Sequence, residues 1–276
     1  MTALRRARPA AGAAVLALLA AAAPAQADPD PALPTSMAAL GDSISRGFDA
    51  CGFYVDCTPR SWATGDDSEV DSQRSRLVAA GARLSTVVNL AHTGDTVAAL
   101  DDQAAAAVAQ HVEYVTVDIG ANDACRPDVS QMTPVGEFRS QLRTALRRLH
   151  SGLPRARVFI ASIPDLMRLW KVGHDNHLAR FTWSRLHICP SMLAAPESEA
   201  PQDVARREQV RARVQAYNSE LATACADYGA DCRDDHGAVF GERFTIHEIS
   251  KWDWFHPNVF GQHALADVTW RAGFFS

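Results

Sequence analysis

The sequence predicts an α/β protein with a central parallel sheet covered by helices on both faces. Short runs of β-branched or apolar residues alternate with longer stretches of helical periodicity. The short runs end in Gly, Asn, Asp or Pro, the residues that stop a strand. No internal repeat and no linker of biased composition divides the chain. Strands that alternate with helices join in parallel through crossovers, and those crossovers cover both faces of the sheet.

Residues 36–40, 87–91, 114–119 and 158–163 read as short buried strands, and only Asp118 places a charge inside one of them. Residues 97–110 read as an alanine-rich helix. Residues 135–149 carry Phe138, Leu142, Ala145, Leu146 and Leu149 at helical spacing. Residues 203–228 read as a long amphipathic helix rich in arginine, and residues 257–270 as a terminal helix opened by Pro257. Two segments fit no regular element. Residues 48–70 read as a loop. Residues 165–201 form a connection about three times the usual length, with Leu166, Met167, Leu169, Trp170, Phe181, Trp183, Leu186 and Ile188 in it. A connection this apolar is either an extra subdomain on the core or a wall of a substrate site. On the second reading, Trp170, Phe181 and Trp183 are the candidate substrate-binding side chains.

The first 27 residues read as a secretory signal peptide. Arg5, Arg6 and Arg8 form a basic start, residues 10–23 are apolar, and Ala25-Gln26-Ala27 is a small-x-small cleavage signal before Asp28. The apolar run of ~14 residues is short for a membrane span of ~20. Cleavage after Ala27 leaves 249 of 276 residues, which suits one domain over 28–276. Losing the three arginines takes the formal net charge from −5 to −8. So acidic a chain excludes a nucleic-acid partner and argues against adsorption to anionic lipid by a basic patch. The six cysteines, Cys51, Cys57, Cys125, Cys189, Cys225 and Cys232, all follow residue 27. An even count in an exported chain reads as a disulfide framework, with fifteen pairings open. There is no Cys-x-x-Cys pair, so no zinc site is expected.

Chemistry enters through four local patterns. The apolar run 37–40 ends abruptly in Gly41-Asp42-Ser43. His92-Thr93-Gly94-Asp95 and Gly120-Ala121-Asn122-Asp123 each follow a strand-like run. Asp253 precedes His256 by three residues, just before Pro257. A serine nucleophile needs a base, and the base needs an orienting group; Ser43, His256 and Asp253 offer all three. The α/β-hydrolase elbow Gly-x-Ser-x-Gly is excluded, because residue 45 is serine.

These blocks, in this order over residues 37–270, resemble the SGNH hydrolases, also called the GDSL lipase and esterase family. Residue 44 is isoleucine where the family often has leucine. The nearer resemblance is to secreted actinomycete lipases, esterases and phospholipases. It implies a flavodoxin-like three-layer sandwich with the site at the carboxyl ends of the strands. Ser43 is then the nucleophile and His256 the base, with Asp253 orienting the imidazole. Some relatives use a backbone carbonyl instead of an aspartate. The backbone N–H groups of Ser43 and Gly94 and the side-chain amide of Asn122 form the oxyanion hole, and Asp42 holds the first turn. The spacing favours Cys51 with Cys57 and Cys225 with Cys232, leaving Cys125 with Cys189; the family's three-disulfide pattern agrees.

The expected activity is that of a secreted serine hydrolase cleaving carboxylic esters of lipid or acyl substrates through an acyl-enzyme. The alternatives are an acetyl-polysaccharide esterase and a catalytically silent binding protein on the same fold. No cofactor or metal is required. The expected partners are a lipid or small ester substrate and, transiently, a lipid surface; the expected state is a monomer.

Overall fold

The computed structural model describes Thr2 and residues 32–276, so the leader and cleavage site expected within residues 1–27 lie outside the described stretch. The first strand, β1 (Ser36–Gly41), is buried along its whole length. The chain turns into the single-turn helix α1 (Ser43–Arg46), then crosses through α2 (Gln73–Ala79) to the edge strand β2 (Thr86–Asn89). It returns through α3 (Leu100–Ala109) to β3 (Tyr114–Asp118) and turns into α4 (Ala121–Ala124). From there it runs through α5 (Val135–Gly152) to β4 (Arg157–Ile160). Three short helices follow: α6 (Leu166–Gly173), α7 (His177–Leu186) and α8 (Pro190–Leu193). The long α9 (Pro201–Tyr228) leads to β5 (Cys232–Asp234), and α10 (Ala238–Gly241) and α11 (Val259–Ala272) complete the fold.

The five strands pair in parallel in the order β2-β1-β3-β4-β5. This is the flavodoxin-like order, with helices packed against the sheet. From β1 the chain goes to β2 on one side and then to β3 on the other. The crevice at the carboxyl ends of β1 and β3 is therefore the topological switch point, where ligands of open α/β sheets bind. Helices α3, α5 and α9 pack side by side, while α11 packs on α2. Right-handed crossovers place these two groups on opposite faces.

The pattern read along 135–149 is the buried stripe of α5, with Phe138 stacked on Tyr217 of α9 at 4.2 Å between ring centroids. Elsewhere the elements depart from expectation. β4 stops at Ile160 rather than residue 163, and β5 adds a fifth strand whose sequence, Cys-Arg-Asp, carries no apolar run. α11 begins at Val259, not at Pro257, because Asn258 is its cap and accepts from the backbone N–H groups of Phe260 and Gly261. Pro257 instead forms an isolated antiparallel bridge with Ile249. The segment 165–201 is no structureless loop: its apolar residues are spent on α6, α7 and α8, whose inner faces join the core.

Disulfides join Cys51 with Cys57, Cys125 with Cys189 and Cys225 with Cys232, and no free cysteine remains among the described residues. The second ties α8 to the end of α4. Ser191 strengthens that join, its hydroxyl donating to the carbonyl of Ala124 at 2.7 Å. No helix among the described residues is long and apolar enough to cross a membrane.

Candidate active site

Ser43 owes its position to its two predecessors. Gly41 has φ +140, and a Cβ there would lie 2.1 Å from the carbonyl oxygen of Asp118 on β3. Only glycine lets the ends of β1 and β3 come this close. Asp42 then caps α1, accepting from the backbone N–H of Ile44 at 2.9 Å. Ser43 is thus the first residue of α1, at a strand-to-helix turn over the switch point. Burial pushes the Asp42 carboxyl up to about 7, and its other oxygen has no protein partner among the described residues.

Across from it, residues 249–257 form a tight loop. The backbone N–H of Ser250 donates to the carbonyl of His256, and that of Trp254 donates to the carbonyl of Ser250, both at 2.8 Å. Inside this loop Asp253 is buried. One of its oxygens, Oδ1, accepts from the backbone N–H groups of Phe255 and His256 at 2.9 and 3.1 Å, while Oδ2 bonds His256 Nδ1. The opposite ring nitrogen, Nε2, lies 2.7 Å from Ser43 Oγ. A carboxylate, not a backbone carbonyl, therefore faces Nδ1. Phe48 and Phe255 flank the imidazole edge-on at 4.8 and 5.0 Å between centroids. Burial pulls the His256 pKa down, but the combined field of Asp253, Asp42 and Asp49 outweighs it, so the net shift is upward. For Asp253 burial acts upward, and the imidazole with three hydrogen bonds overcomes it, leaving the carboxyl below its ordinary value.

The second and third sequence blocks converge on the same crevice. Gly94 has φ +90, a conformation that favours glycine. Among the described residues nothing accepts from the backbone N–H of Ser43 or of Gly94. The Asn122 amide donates one hydrogen to the carbonyl of Asp95 at 2.9 Å, which fixes its plane and leaves the second hydrogen available. Asp123 couples the blocks. It accepts from the backbone N–H of Val97 at 2.9 Å and from the Thr133 hydroxyl at 2.7 Å. His92, the histidine that opens the second block, is exposed and faces Asp95 at 3.4 Å.

This arrangement can do one kind of chemistry well. With the Nδ1 proton held by Asp253, Nε2 presents a lone pair to the Ser43 hydroxyl. The model of the GDSL-like lipase/acylhydrolase family matches residues 39–264. The chain belongs to that family. A curated relative, membrane-associated phospholipase B1 of Rattus norvegicus, is 25% identical over 157 residues, which is 54% of this chain and 10% of the relative. The chain thus spans about a tenth of that protein's length. Among solved structures, phospholipase A1 from Streptomyces albidoflavus superposes with a TM-score of 0.52 at 18% identity, over 87% of this chain and 100% of that one. An acetyl xylan esterase from Geobacillus stearothermophilus does so with a TM-score of 0.51 at 18% identity, over 87% and 95%. At these identities the likeness is one of fold.

Beside the imidazole of this GDSL hydrolase opens an apolar groove. Ile44, Ala121, Pro164, Leu166, Leu169, Phe244, Ile249, Phe255 and Pro257 line it together with His256, and Asp165, Arg168 and Glu248 add polar groups. None of the three side chains expected in a substrate wall takes part. Trp170 is buried beneath the guanidinium of Arg207, 4.2 Å from its ring centroid, and donates to the carbonyl of Pro196 at 2.9 Å. Trp183 is buried against Gly173 and donates to the carbonyl of Trp254 at 2.9 Å. Phe181 is exposed and is not part of the groove's lining. The reason is helical geometry: on α6 and α7 the indoles fall on the faces that the core covers. From α6, Leu166, Arg168 and Leu169, next to the end of β4, reach the groove. Its remaining lining comes from separate segments with no shared sequence signal.

Proposed function

We propose that this protein is a secreted carboxylic-ester hydrolase acting on acyl lipid esters, with Ser43 as nucleophile, His256 as general base and Asp253 as the orienting carboxylate. The observation that carries the reading is the apolar groove that His256 helps to line. A groove with aliphatic and aromatic walls rewards an acyl chain, and each buried methylene is worth ~0.8 kcal/mol. Ser43 Oγ attacks the ester carbonyl as its proton passes to His256 Nε2. The oxyanion is received by the N–H groups of Ser43 and Gly94 and the amide of Asn122, each donor worth ~3–4 kcal/mol. The imidazolium returns its proton to the leaving alcohol, and water activated by the same base releases the acid. These groups complete the reaction without a cofactor.

The exposed side chains Phe53, Tyr54, Val55 and Trp252 support a transient contact with a lipid surface. Phe53 reaches both Tyr54 and Trp252, and Tyr54 leads through Phe48 to the imidazole. Export fits the leader-like residues 1–27 together with three disulfides, with residues 28–276 as one monomeric domain and no nucleic-acid partner. The acetyl-polysaccharide alternative loses its main support, since of the six tryptophans only Trp252 is prominently exposed.

The test is a panel of p-nitrophenyl esters of rising chain length beside phosphatidylcholine with product analysis, run on wild type and Ser43→Ala. The substitution should remove on the order of 10⁴–10⁶ in kcat with the fold intact. A variant keeping a tenth of its activity removes Ser43 from the mechanism. An acetylated sugar preferred over every acyl ester restores the polysaccharide reading.

A further inference from the structure

Behind the Asp253–His256 pair lies a third titratable group to which the mechanism above gives no role. Asp49 is buried, 1% exposed. A carboxylate oxygen of Asp49, one of Asp253 and a ring nitrogen of His256 all lie within 4.8 Å of one another. Asp49 Oδ1 accepts from the backbone N–H of Tyr54, and Oδ2 has no hydrogen-bond donor from the protein among the described residues. The backbone supports this placement: Asp49 has φ +59, a conformation that aspartate and asparagine tolerate best among residues other than glycine. Its own carbonyl is held by the hydroxyl of Ser250, so the loop carrying Asp49 is tied to the loop carrying Asp253.

We propose that Asp49 is a positioning residue for this hydrolase: its carboxyl shares a proton with Asp253, holds that carboxylate square to the imidazole, and when ionised adds a second negative charge that makes His256 more basic. An oxygen that must be buried beside another carboxylate with no donor in reach needs a proton of its own. Burial and then the neighbouring Asp253 push Asp49 up to about 6, so its proton is exchangeable in the range where an imidazole titrates. The groups that face it are all accounted for. Asp253 and His256 are the titratable ones, Tyr54 gives a backbone N–H, Ser250 binds the main chain, and Arg60 stops at the carbonyl of Ala50 at 2.9 Å.

The inference rests on His256 acting as the base, and Asp49→Asn is the informative variant. Its amide accepts from Tyr54 and donates to Asp253, it suits the same backbone, and it cannot ionise. Removing an anion close to the imidazole lowers the imidazole pKa. The acid limb of kcat/KM should therefore move to lower pH by roughly half a unit or more, with kcat within a few-fold of wild type. Asp49→Ala, which leaves Asp253 unsupported, should lower kcat roughly tenfold or more at unchanged KM, on the scale of one lost charge-assisted hydrogen bond. Thermal melts check that both variants fold, and His256→Ala runs alongside. An acid limb unmoved in Asp49→Asn, with His256→Ala inactive, overturns the role of Asp49 alone. An active His256→Ala overturns the base assignment and the inference with it.

Discussion

The acyl-groove reading makes its sharpest prediction at Leu169. Leu166 is 5% exposed and belongs to the core, so replacing it would confuse stability with specificity. Leu169 lines the same groove from a half-buried position one turn further along α6. If the groove takes the acyl chain, each methylene buried there is worth ~0.8 kcal/mol, or about fourfold in kcat/KM, until the groove is filled. Leu169→Ala draws back part of the wall and leaves one or two methylenes without an apolar partner, about 1 kcal/mol. The octanoate-to-acetate ratio of kcat/KM should then fall about five- to tenfold, with acetate within about twofold of wild type. The assay is that ratio on p-nitrophenyl esters below their aggregation limit. Trp183→Ala is the contrast. It empties a core site and removes the indole bond to Trp254, so it should cost about 3–5 kcal/mol of stability and leave the ratio alone. An unchanged ratio in Leu169→Ala, or an equal loss on both esters, refutes the groove as the acyl site. A ratio that drops only in Trp183→Ala would return the substrate wall to α7.

The disulfides should contribute unequally. By loop length the bridge from Cys125 to Cys189, 64 positions apart, is worth about 4 kcal/mol, and the bridges spanning 6 and 7 positions about 2 kcal/mol each. Paired Cys→Ser variants in urea melts check the ranking, and equal losses would refute the loop-entropy argument. Asp118, fully buried with one oxygen unpartnered among the described residues, is held well above the usual carboxylate range by burial and then by Asp42 and Asp235. The unfolded carboxyl ionises near pH 4, so between that pH and its raised native value the folded chain binds the extra proton. Stability therefore falls as pH rises through this window. Asp118→Asn escapes that loss, so its advantage over wild type in urea melts should be larger at pH 8 than at pH 5; an advantage that shrinks with pH refutes the assignment.

Much of the site was legible because its parts are local in sequence. Gly41-Asp42-Ser43 contains its own turn chemistry: a glycine for the close approach to β3, an aspartate for the cap, and a serine on the first helical residue. Asp253 and His256 sit three residues apart in a loop that closes on itself. The structure brings the two ends of the chain to 2.7 Å at Ser43 Oγ and His256 Nε2, a contact that no spacing rule supplies. β5 was not legible, because Cys232-Arg233-Asp234 is pinned as a strand by β4 and by the Cys225–Cys232 disulfide rather than by its own composition. Asp49 gave no signal either, since an aspartate in a loop looks solvated until the partner loop from residue 250 closes over it.

The segment 165–201 packs its helices on the core and turns the start of α6 to the groove. Its helical signals stand in plain order. Asp165 caps Met167, and Leu166, Leu169, Trp170 and Gly173 follow at spacings of three, four and seven; Asn176 caps Leu178 and Ala179, and Ala179 and Trp183 lie four apart. Periodicity of that kind assigns a side chain to a face before it assigns it to a ligand. Large aromatics on the inward face are core by default, and the groove is lined by whatever the helix offers at its end nearest the sheet's carboxyl edge. Here that is Leu166, Arg168 and Leu169, beside residues drawn from four other parts of the chain. If the groove takes the acyl chain, substrate preference is written in the packing between segments, while the catalytic groups are written within them.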